Sequence, residues 1–265
     1  MRWYSIFMLF IVSSLYSSEL ITTNNFEIIE QESKKLNCLS LVLFDVDNTL
    51  IFPIDAILRP QAKLLFNQLI NDHPERDLYR DIRLKASHSI VDQRFVHLIQ
   101  GLQEKKIPTL AFTAAFGSVC KNQQPGEWRL KELKLHGFNF YSPFSEHQFL
   151  ELPKVAEPCQ SPIYRSGILY TSLQPKGIIL THFLNAINWY PDKVLFVDDE
   201  RERVEQVTEA LDKMGIECVG IHYTAVEETP CEIILEQAIF QIDYFIENDI
   251  WLSDDACKKL YLDAS

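Results

Sequence analysis

Continuous apolar runs predict buried β-strands along the chain. Residues 38–46 (CLSLVLFDV) and 193–197 (KVLFV) are almost uninterrupted in their apolarity, and both lead directly into acidic residues. Runs of this kind are typical of strands that are buried on both faces of a sheet. Shorter apolar segments at 108–112, 166–172 and 216–223 predict further strands. The pattern therefore predicts an internal sheet that is covered on both sides.

Helical periodicity fills most of the intervals between these segments. Phe95, Leu98, Ile99 and Leu102 recur at the i, i+3, i+4, i+7 spacing of an amphipathic helix. The predicted helices are 60–72, 75–105, 127–136, 176–189, a segment carrying Val204, Val207, Leu211 and Met214, 232–247, and a last one from Ser253 onward. Residues 138–165 show little periodicity and hold four prolines, which predicts a loop or an insertion. The alternation predicts an α/β fold with a mostly parallel sheet flanked by helices, and such sheets bind ligands beyond the carboxyl ends of their strands.

The composition indicates an ordinary globular protein that is strongly acidic. Apolar types make up 47% of the residues and charged types 23%. The 25 basic side chains minus the 37 acidic ones leave a net charge of −12. Such a charge argues against nucleic acid, and against an anionic membrane surface, as a general partner. A small local cationic site is still compatible with it.

The first residues have the pattern of a secretory signal peptide. Met1 and Arg2 precede an apolar run and then small residues, so we expect cleavage near Ser17 or Ser18. The run is short for a membrane span, although an uncleaved anchor is the alternative. We therefore assign residues 1–18 to a signal peptide. The protein is expected to be exported, periplasmic or secreted, with no stable membrane span after cleavage.

The cysteines leave two possibilities open. The six are Cys38, Cys120, Cys159, Cys218, Cys231 and Cys257. Export would permit disulfides, whereas none of these residues has the CxxC spacing of a zinc site or a redox motif. Bridges and buried free thiols are equally compatible with the sequence, which does not choose a pairing.

Acidic side chains follow two of the predicted buried strands. Asp45 and Asp47 end the first, and Asp198 and Asp199 follow Val197 at the end of another. Several carboxylates at one sheet edge repel each other strongly unless a cation lies between them. Oxygen ligands of this kind suit Mg²⁺. The alternative role for Asp198 and Asp199 is to cap the helix that follows them, because acids favour helix N-termini.

A wider set of residues makes the chemistry more specific. FDVDNTL at 44–50 matches the DxDxT motif of the haloacid dehalogenase-like (HAD) superfamily of phosphohydrolases, Thr113 fits its second motif, Lys176 its third and VDD at 197–199 its fourth. Order and spacing agree, and the resemblance covers roughly residues 38–225. The combination is similar to exported bacterial HAD-like proteins of the DUF2608 type. The resemblance implies a Rossmann-like sheet with a cap insertion.

The resemblance also implies a role for each matching residue. Asp45 resembles the nucleophile that forms an aspartyl-phosphate. Asp47 resembles the general acid that protonates the leaving oxygen and then activates water. Thr113, Lys176 and Asn48 resemble the groups that bind the phosphoryl oxygens, with Lys176 offsetting their charge.

A magnesium site is part of the same resemblance. The Asp45 carboxylate, the Asp47 main-chain carbonyl and the Asp198 carboxylate would hold the ion. Asp199 would support the metal-bound waters or Lys176. Phosphoryl transfer needs mainly positioning and charge neutralisation, which this set would supply.

The spacing of the motifs predicts an insertion over the site. Thr49 and Thr113 are 64 positions apart, more than one helix requires. We assign 53–92 to a small helical cap, 19–52 and 93–265 to the α/β core, and 138–165 to a possible second flap within that core. Five arginines between the two threonines could meet anionic groups of a substrate, although solvation is the expected role of most: Arg59, Arg76, Arg80, Arg83 and Arg94.

These observations predict an enzyme, a Mg²⁺-dependent phosphatase acting on a small phosphomonoester. Two alternatives remain. The protein could keep the fold as a binding or host-interaction protein that has lost turnover, or it could transfer phosphate to an alcohol. His182, on a predicted amphipathic helix, is expected to be a packed or surface histidine rather than a ligand.

Overall fold

The computed structural model describes residues 18–71, 73, 77–117, 124–156 and 160–264. The predicted signal peptide falls on residues outside these ranges except for Ser18, and Cys120 and Cys159 also lie outside them. No helix within the described ranges is long and apolar enough to cross a membrane. In the same ranges Cys38, Cys218, Cys231 and Cys257 are free thiols.

Strands and helices alternate along most of the chain. The strands are β1 (Glu19–Thr23), β2 (Ser40–Phe44), β3 (Ile51–Pro53), β4 (His88–Ile90), β5 (Thr109–Thr113), β6 (Phe149–Glu151), β7 (Ile163–Arg165), β8 (Ile168–Tyr170), β9 (Lys193–Asp198) and β10 (Glu217–Tyr223). The helices are α1 (Phe26–Ser33), α2 (Lys63–Ile70), α3 (Leu78–Lys85), α4 (Arg94–Glu104), α5 (Glu127–Leu135), α6 (Lys176–Ile187), α7 (Arg201–Lys213), α8 (Leu235–Asn248) and α9 (Asp254–Ala264). Two short 3-10 turns, Ala56–Leu58 and Pro60–Ala62, precede α2.

The main sheet has eight strands in the order β1-β10-β9-β2-β5-β8-β7-β6. All neighbours from β1 to β8 are parallel, and β7 and β6 add an antiparallel edge. The prediction of a mostly parallel sheet flanked by helices is confirmed. The chain leaves β2 toward β5 and β8, then crosses back to β9 and β10 on its other side. Such a reversal opens a crevice at the carboxyl end of the central strand, which here is β2.

Strand β2 is apolar throughout because both of its faces are covered. Val42 and Phe44 belong to one core cluster, together with Phe95 of α4. Leu41 and Leu43 point into a second cluster, which includes side chains of α6 and α7. Successive side chains of a strand face opposite sides of the sheet, so burial on both sides removes the usual alternation of apolar and polar residues.

Four local predictions were wrong in part, and pairing between distant segments accounts for the strands that were missed. The segment 75–105 is interrupted by β4, which pairs with β3 as a separate two-stranded antiparallel sheet. Residues 138–165 contain β6 and β7 at the sheet edge, and 60–72 begins as a 3-10 turn. The predicted elements also omitted β1 and α1, although β1 extends the sheet beside β10. Short strands of this kind depend on their partners more than on local periodicity.

The insertion between β3 and β4 packs on the C-terminal helices. Phe66 of α2 and Ile82 of α3 share an apolar cluster with Ile242 and Phe245 of α8. The Asp55 carboxylate accepts hydrogen bonds from Trp251 Nε1 at 2.8 Å and from the Asp254 backbone at 2.9 Å. These contacts fix the insertion against α8 and the start of α9.

Candidate active site

A tight turn after β2 places two acidic side chains at the centre of the sheet edge. The Asp45 backbone N–H donates to Val197 O at 2.8 Å, which carries the β2–β9 pairing one residue further. Asn48 then adopts φ +64°, a left-handed conformation that Asn tolerates better than most residues. Its N–H donates to Ile51 O at 2.6 Å and closes the turn. Asp45 and Asp47 therefore project from a short, hydrogen-bonded segment.

Lys176, the first residue of α6, contacts the ends of three strands, β2, β5 and β9. Its Nζ lies 2.5 Å from Asp45 Oδ1, 2.6 Å from Asp198 Oδ2 and 2.6 Å from Phe112 O. The side chain is only 1% exposed. A buried ammonium is stable only when its charge and its donors are compensated, and these three acceptors use all of its N–H groups. The structure thus brings together the lysine and two of the carboxylates that the sequence singles out.

Three carboxylates form a buried cluster around this lysine. Oxygen atoms of Asp45, Asp198 and Asp199 lie within 4.8 Å of one another. Burial raises the pKa of Asp45, although the charge of Lys176 opposes the shift. Burial also raises the pKa of Asp199 well above its usual range, and its acidic neighbours add to the effect. The cluster carries more negative charge than Lys176 alone can offset.

Unpaired oxygens in this cluster fit a hard cation. Asp45 Oδ2 and Asp199 Oδ1 are buried and have no hydrogen-bond partner among the described residues. The other oxygen of Asp199 accepts a hydrogen bond from Asn48 Nδ2 at 3.0 Å. Asp198 Oδ1 accepts from the Glu200 backbone at 2.8 Å. Glu200 is the N-cap residue of α7 and has no side-chain capping bond, so this contact closes the turn before the helix and does not cap it. Two free carboxylate oxygens within one small cluster are the ligands that Mg²⁺ prefers.

Asp47 lies in a different environment from the other acids. Arg129 Nη2 contacts its two oxygens at 3.1 and 2.8 Å, and Arg83 lies 3.7 Å from Oδ1. Burial alone would raise the pKa of Asp47, but Arg129, Arg83 and His88 together hold it below its usual range. In this conformation the carboxylate is an ion-pair partner.

Sequence reasoning missed Arg129, which is buried on α5. Its Nη1 contacts Glu132 at 2.5 Å, and Glu132 in turn lies 2.9 Å from Nδ1 of His88. The residue falls in a segment that reads as an ordinary charged helix, so the sequence carries no signal for it. The spacing of Arg129 and Glu132, one helical turn apart, predicts at most a surface ion pair.

Thr113 ends β5 inside the protein. Its Oγ1 accepts a hydrogen bond from the Ala115 backbone at 3.1 Å, and its carbonyl accepts from Thr171. The side chain is fully buried. The hydroxyl therefore stabilises the turn after β5, and its predicted role in phosphate binding stays a prediction.

A cleft of about 370 Å³ opens next to these residues. Asp47, Asn48 and Asp199 line its inner end, and side chains of the insertion line the opposite wall. Asp45 and Lys176 are buried behind this inner end, with an Asp45 oxygen within 4.8 Å of one from Asp199. The site thus consists of a buried charged centre and a cleft that leads to it.

The protein is therefore an α/β protein with a mostly parallel sheet, and acidic side chains and a lysine lie together at the carboxyl edge of that sheet. The chain belongs to the family described as "Protein of unknown function (DUF2608)", which matches residues 22–258. An uncharacterized protein of Rickettsia prowazekii is 23% identical over 229 residues, covering 83% of this chain and 82% of the relative. A Chlamydia pneumoniae protein named "Putative outer membrane protein" is 35% identical over 98 residues, 37% of this chain and 36% of the relative. No solved structure matches the chain.

Proposed function

We propose that this protein is an exported, Mg²⁺-dependent phosphatase of the HAD-like type that hydrolyses a phosphomonoester. The observation that carries the proposal is the contact of Lys176 with Asp45 and Asp198, beside two buried carboxylate oxygens without partners. A balanced ion pair would not need the third acid, Asp199. A surplus of buried negative charge at a strand edge indicates a site built for a cation and for the anion that the cation attracts.

The reaction would proceed in two steps on the residues of this site. A carboxylate oxygen of Asp45 attacks phosphorus, the bond from phosphorus to the alcohol oxygen breaks, and Asp47 gives that oxygen a proton. Water then attacks the aspartyl-phosphate, Asp47 takes a proton from it, and phosphate leaves with Asp45 restored. Lys176 orients Asp45 and offsets charge on the phosphoryl group, for which Asn48 and Thr113 supply further polar contacts.

Magnesium would be held by the carboxylates of Asp45, Asp198 and Asp199, with the Asp47 carbonyl as a further oxygen ligand. When bound, the ion would neutralise charge that develops on the phosphoryl oxygens. The unpaired Asp45 Oδ2 and Asp199 Oδ1 are the atoms that would face it.

Two observations support the location in this proposal. The sequence begins with the pattern of a signal peptide. The Chlamydia pneumoniae relative carries the name "Putative outer membrane protein", which agrees with export.

One alternative is favoured by a specific observation. Asp47 must reach the leaving oxygen to act as a general acid, yet its two oxygens are engaged by Arg129, and Asp45 is fully buried. A protein that stays in this conformation would bind a cation and an anion without turnover, as a binding or host-interaction protein. Catalysis requires that Asp47 leaves Arg129 when substrate enters.

Phosphate release from a panel of phosphomonoesters, with Mg²⁺ and with EDTA, separates these functions. The phosphatase gives metal-dependent release that Asp45→Asn abolishes and Asp47→Asn reduces by about a hundredfold or more. Added acceptor alcohols would show any transfer product. Absence of release, with Mg²⁺ binding retained in the wild type, would instead establish the binding role.

A further inference from the structure

The cleft is larger than a phosphoryl group requires. Its volume of about 370 Å³ falls within the usual range for sites of small organic molecules, about 300–1,000 Å³. A phosphoryl group bound near Asp47 and Asp199 would fill only the inner end. The remaining volume would face the alcohol part of the substrate, so its walls determine which alcohols fit.

Much of the cleft wall is apolar. The side chains that form it are Ile57, Leu58 and Phe66 from the insertion, and Phe116, Trp128 and Leu173 from the core. Trp128 Nε1 donates to Phe116 O at 3.1 Å, which leaves the ring system without an unpaired donor and fixes its orientation. A wall of this kind favours an apolar group on the ligand.

Leu173 presents an exposed side chain from a strained backbone. It is 62% exposed, and it follows Ser172 with both residues in the left-handed region, at φ +63° and +54°. Hydrogen bonds from Leu173 N to Ala114 O, at 2.8 Å, and from Ser172 N to Ala115 O hold this conformation. Strained non-glycine residues persist where the surroundings impose them, and they cluster at ligand sites. Contact with an apolar ligand would recover the cost of exposing this leucine.

Most charged side chains in the cleft already have close partners. Arg80 pairs with Asp77 and Asp81. Lys63 and Arg203 share Glu200, at 3.5 and 3.0 Å. These groups neutralise one another and leave little net charge for a ligand.

Two arginines of the cleft, Arg59 and Arg83, make no hydrogen bond to a carboxylate of the described residues. Arg59 donates to the backbone oxygens of Ile54 and Pro230, which leaves Arg83, on α3, as the cation that points to a ligand. Among the described residues, the carboxylate oxygen nearest to the Arg83 guanidinium is Asp47 Oδ1 at 3.7 Å, which is too long for a hydrogen bond, and both Asp47 oxygens already accept from Arg129. The guanidinium lies over the Tyr79 ring, 5.4 Å from its centroid, which orients it along the cleft wall. A planar cation with free donors, between an apolar wall and the reacting end, matches a carboxylate.

We propose that Arg83 is a specificity-determining residue, and that the substrate is a phosphomonoester whose alcohol part is apolar and carries a second anionic group. Arg83 binds that group while Leu173 and Trp128 contact the apolar part. This inference rests on the proposed phosphatase function, because it assumes that the phosphoryl group lies at the inner end of the cleft.

Three aryl phosphates of similar shape test the proposal: phenyl phosphate, 4-carboxyphenyl phosphate and 4-(aminomethyl)phenyl phosphate. The wild type should hydrolyse the carboxylate compound with a kcat/KM about tenfold or more above that of phenyl phosphate, and the cationic compound should be the poorest. Arg83→Gln should remove most of this preference through a higher KM for the carboxylate compound. Arg94→Gln is the matched control, because Arg94 pairs with Asp92 and does not line the cleft.

Binding gives a second readout that does not depend on turnover. Calorimetry on Asp45→Asn with Mg²⁺ should show about tenfold tighter binding of 4-carboxyphenyl phosphate than of phenyl phosphate, lost when Arg83→Gln is added. Metal-dependent hydrolysis without a preference for the carboxylate compound would overturn the inference and leave the phosphatase function standing. If the protein bound the carboxylate compound preferentially through Arg83 but hydrolysed none of the three compounds, the phosphatase function would be overturned. The proposed ligand class, an apolar phosphomonoester with a second anionic group, would stand. If the protein showed no hydrolysis and no preferential binding, both the phosphatase function and the ligand class would be overturned.

Discussion

Arg129 contacts both carboxylate oxygens of Asp47 through a single guanidinium nitrogen, at 2.8 and 3.1 Å. The other terminal nitrogen of Arg129 contacts Glu132, so one buried cation serves two acids from different parts of the chain. The Arg129 side chain is 5% exposed. The position of Asp47 therefore depends on a residue 82 positions away in the sequence.

Replacing this cation should affect both stability and catalysis. We expect Arg129→Met to lower the free energy of unfolding by about 3 kcal/mol, because two partly buried carboxylates lose their partner. Phosphatase activity per folded molecule should rise, since Asp47 no longer has to leave Arg129 before it meets the leaving oxygen. Urea denaturation measures the first effect and phosphate release the second. Lys131→Met, on the same helix and 72% exposed, should change stability by less than about 0.5 kcal/mol. Equal stability of the two variants would show that Arg129 does not hold the site.

Lys176 should compete with a bound metal ion for the negative charge of Asp45 and Asp198. Removing it in Lys176→Met leaves Asp45 and Asp198 without their shared cation, so we expect a lower Tm in EDTA than for the wild type. Mg²⁺ should then raise the Tm of the variant by more than that of the wild type, because it supplies the missing positive charge. Thermal denaturation with and without Mg²⁺ measures both shifts. Lys213→Met, at 79% exposure, is the control. If Mg²⁺ moved neither Tm, the cluster would not be a metal site.

Replacing Asp199 by a neutral side chain should change the stability of the protein differently in EDTA and in Mg²⁺. Asp199→Asn keeps the shape of the side chain and its neighbour Asn48, but it takes one negative charge out of a buried group of three. In EDTA we expect the variant to be more stable than the wild type, because repulsion is relieved. In Mg²⁺ the order should reverse or the difference should vanish, since the wild type gains more from the ion. A variant that is less stable in EDTA would mean that Asp199 is needed for folding in its charged form.

The centre of the site could be predicted because its signals are local. Asp45 and Asp198 follow continuous apolar strands, and the carboxyl ends of parallel strands meet at one edge whatever the loops do. The apolar run of β2 also identified a doubly covered strand, since Leu41 to Phe44 pack into clusters on both sides of the sheet. Burial of a strand on both faces can therefore be predicted from a continuous apolar run in the sequence.

The surroundings of the site could not be predicted in the same way. Arg129 is buried by the fold, and nothing in the helix that carries it distinguishes it from the exposed Lys131. Strand β4 was hidden in a helical pattern because its stability comes from pairing with β3, in which Phe52 lies opposite Ser89, 37 positions later in the sequence. The surroundings of a cleft residue such as Arg83 also depend on residues that are distant in sequence, here Asp47. Hydrophobic periodicity indicates only local secondary structure and does not show which distant residues come into contact.

Two helical glycines should respond in opposite ways to the same substitution. At Gly177, which follows Lys176 in α6, an added Cβ would lie 2.2 Å from Gln206 O and 3.0 Å from Ala210 Cβ. Both of these atoms belong to α7, so the two helices would have to separate. We expect Gly177→Ala to lower the free energy of unfolding by about 1–3 kcal/mol. Activity should also fall, because the shift begins one residue from Lys176.

Gly101, in the interior of α4, supplies the comparison. An added Cβ there meets nothing within 4 Å. Gly101→Ala should therefore raise the free energy of unfolding by about 0.5–1 kcal/mol, through the better helix propensity of alanine, and leave phosphate release unchanged. Urea denaturation of both variants measures the contrast. If Gly177→Ala were also stabilising, α6 would not approach α7 closely enough to set the position of the lysine, and the geometry of the charged centre would have to be fixed by the ion pairs alone.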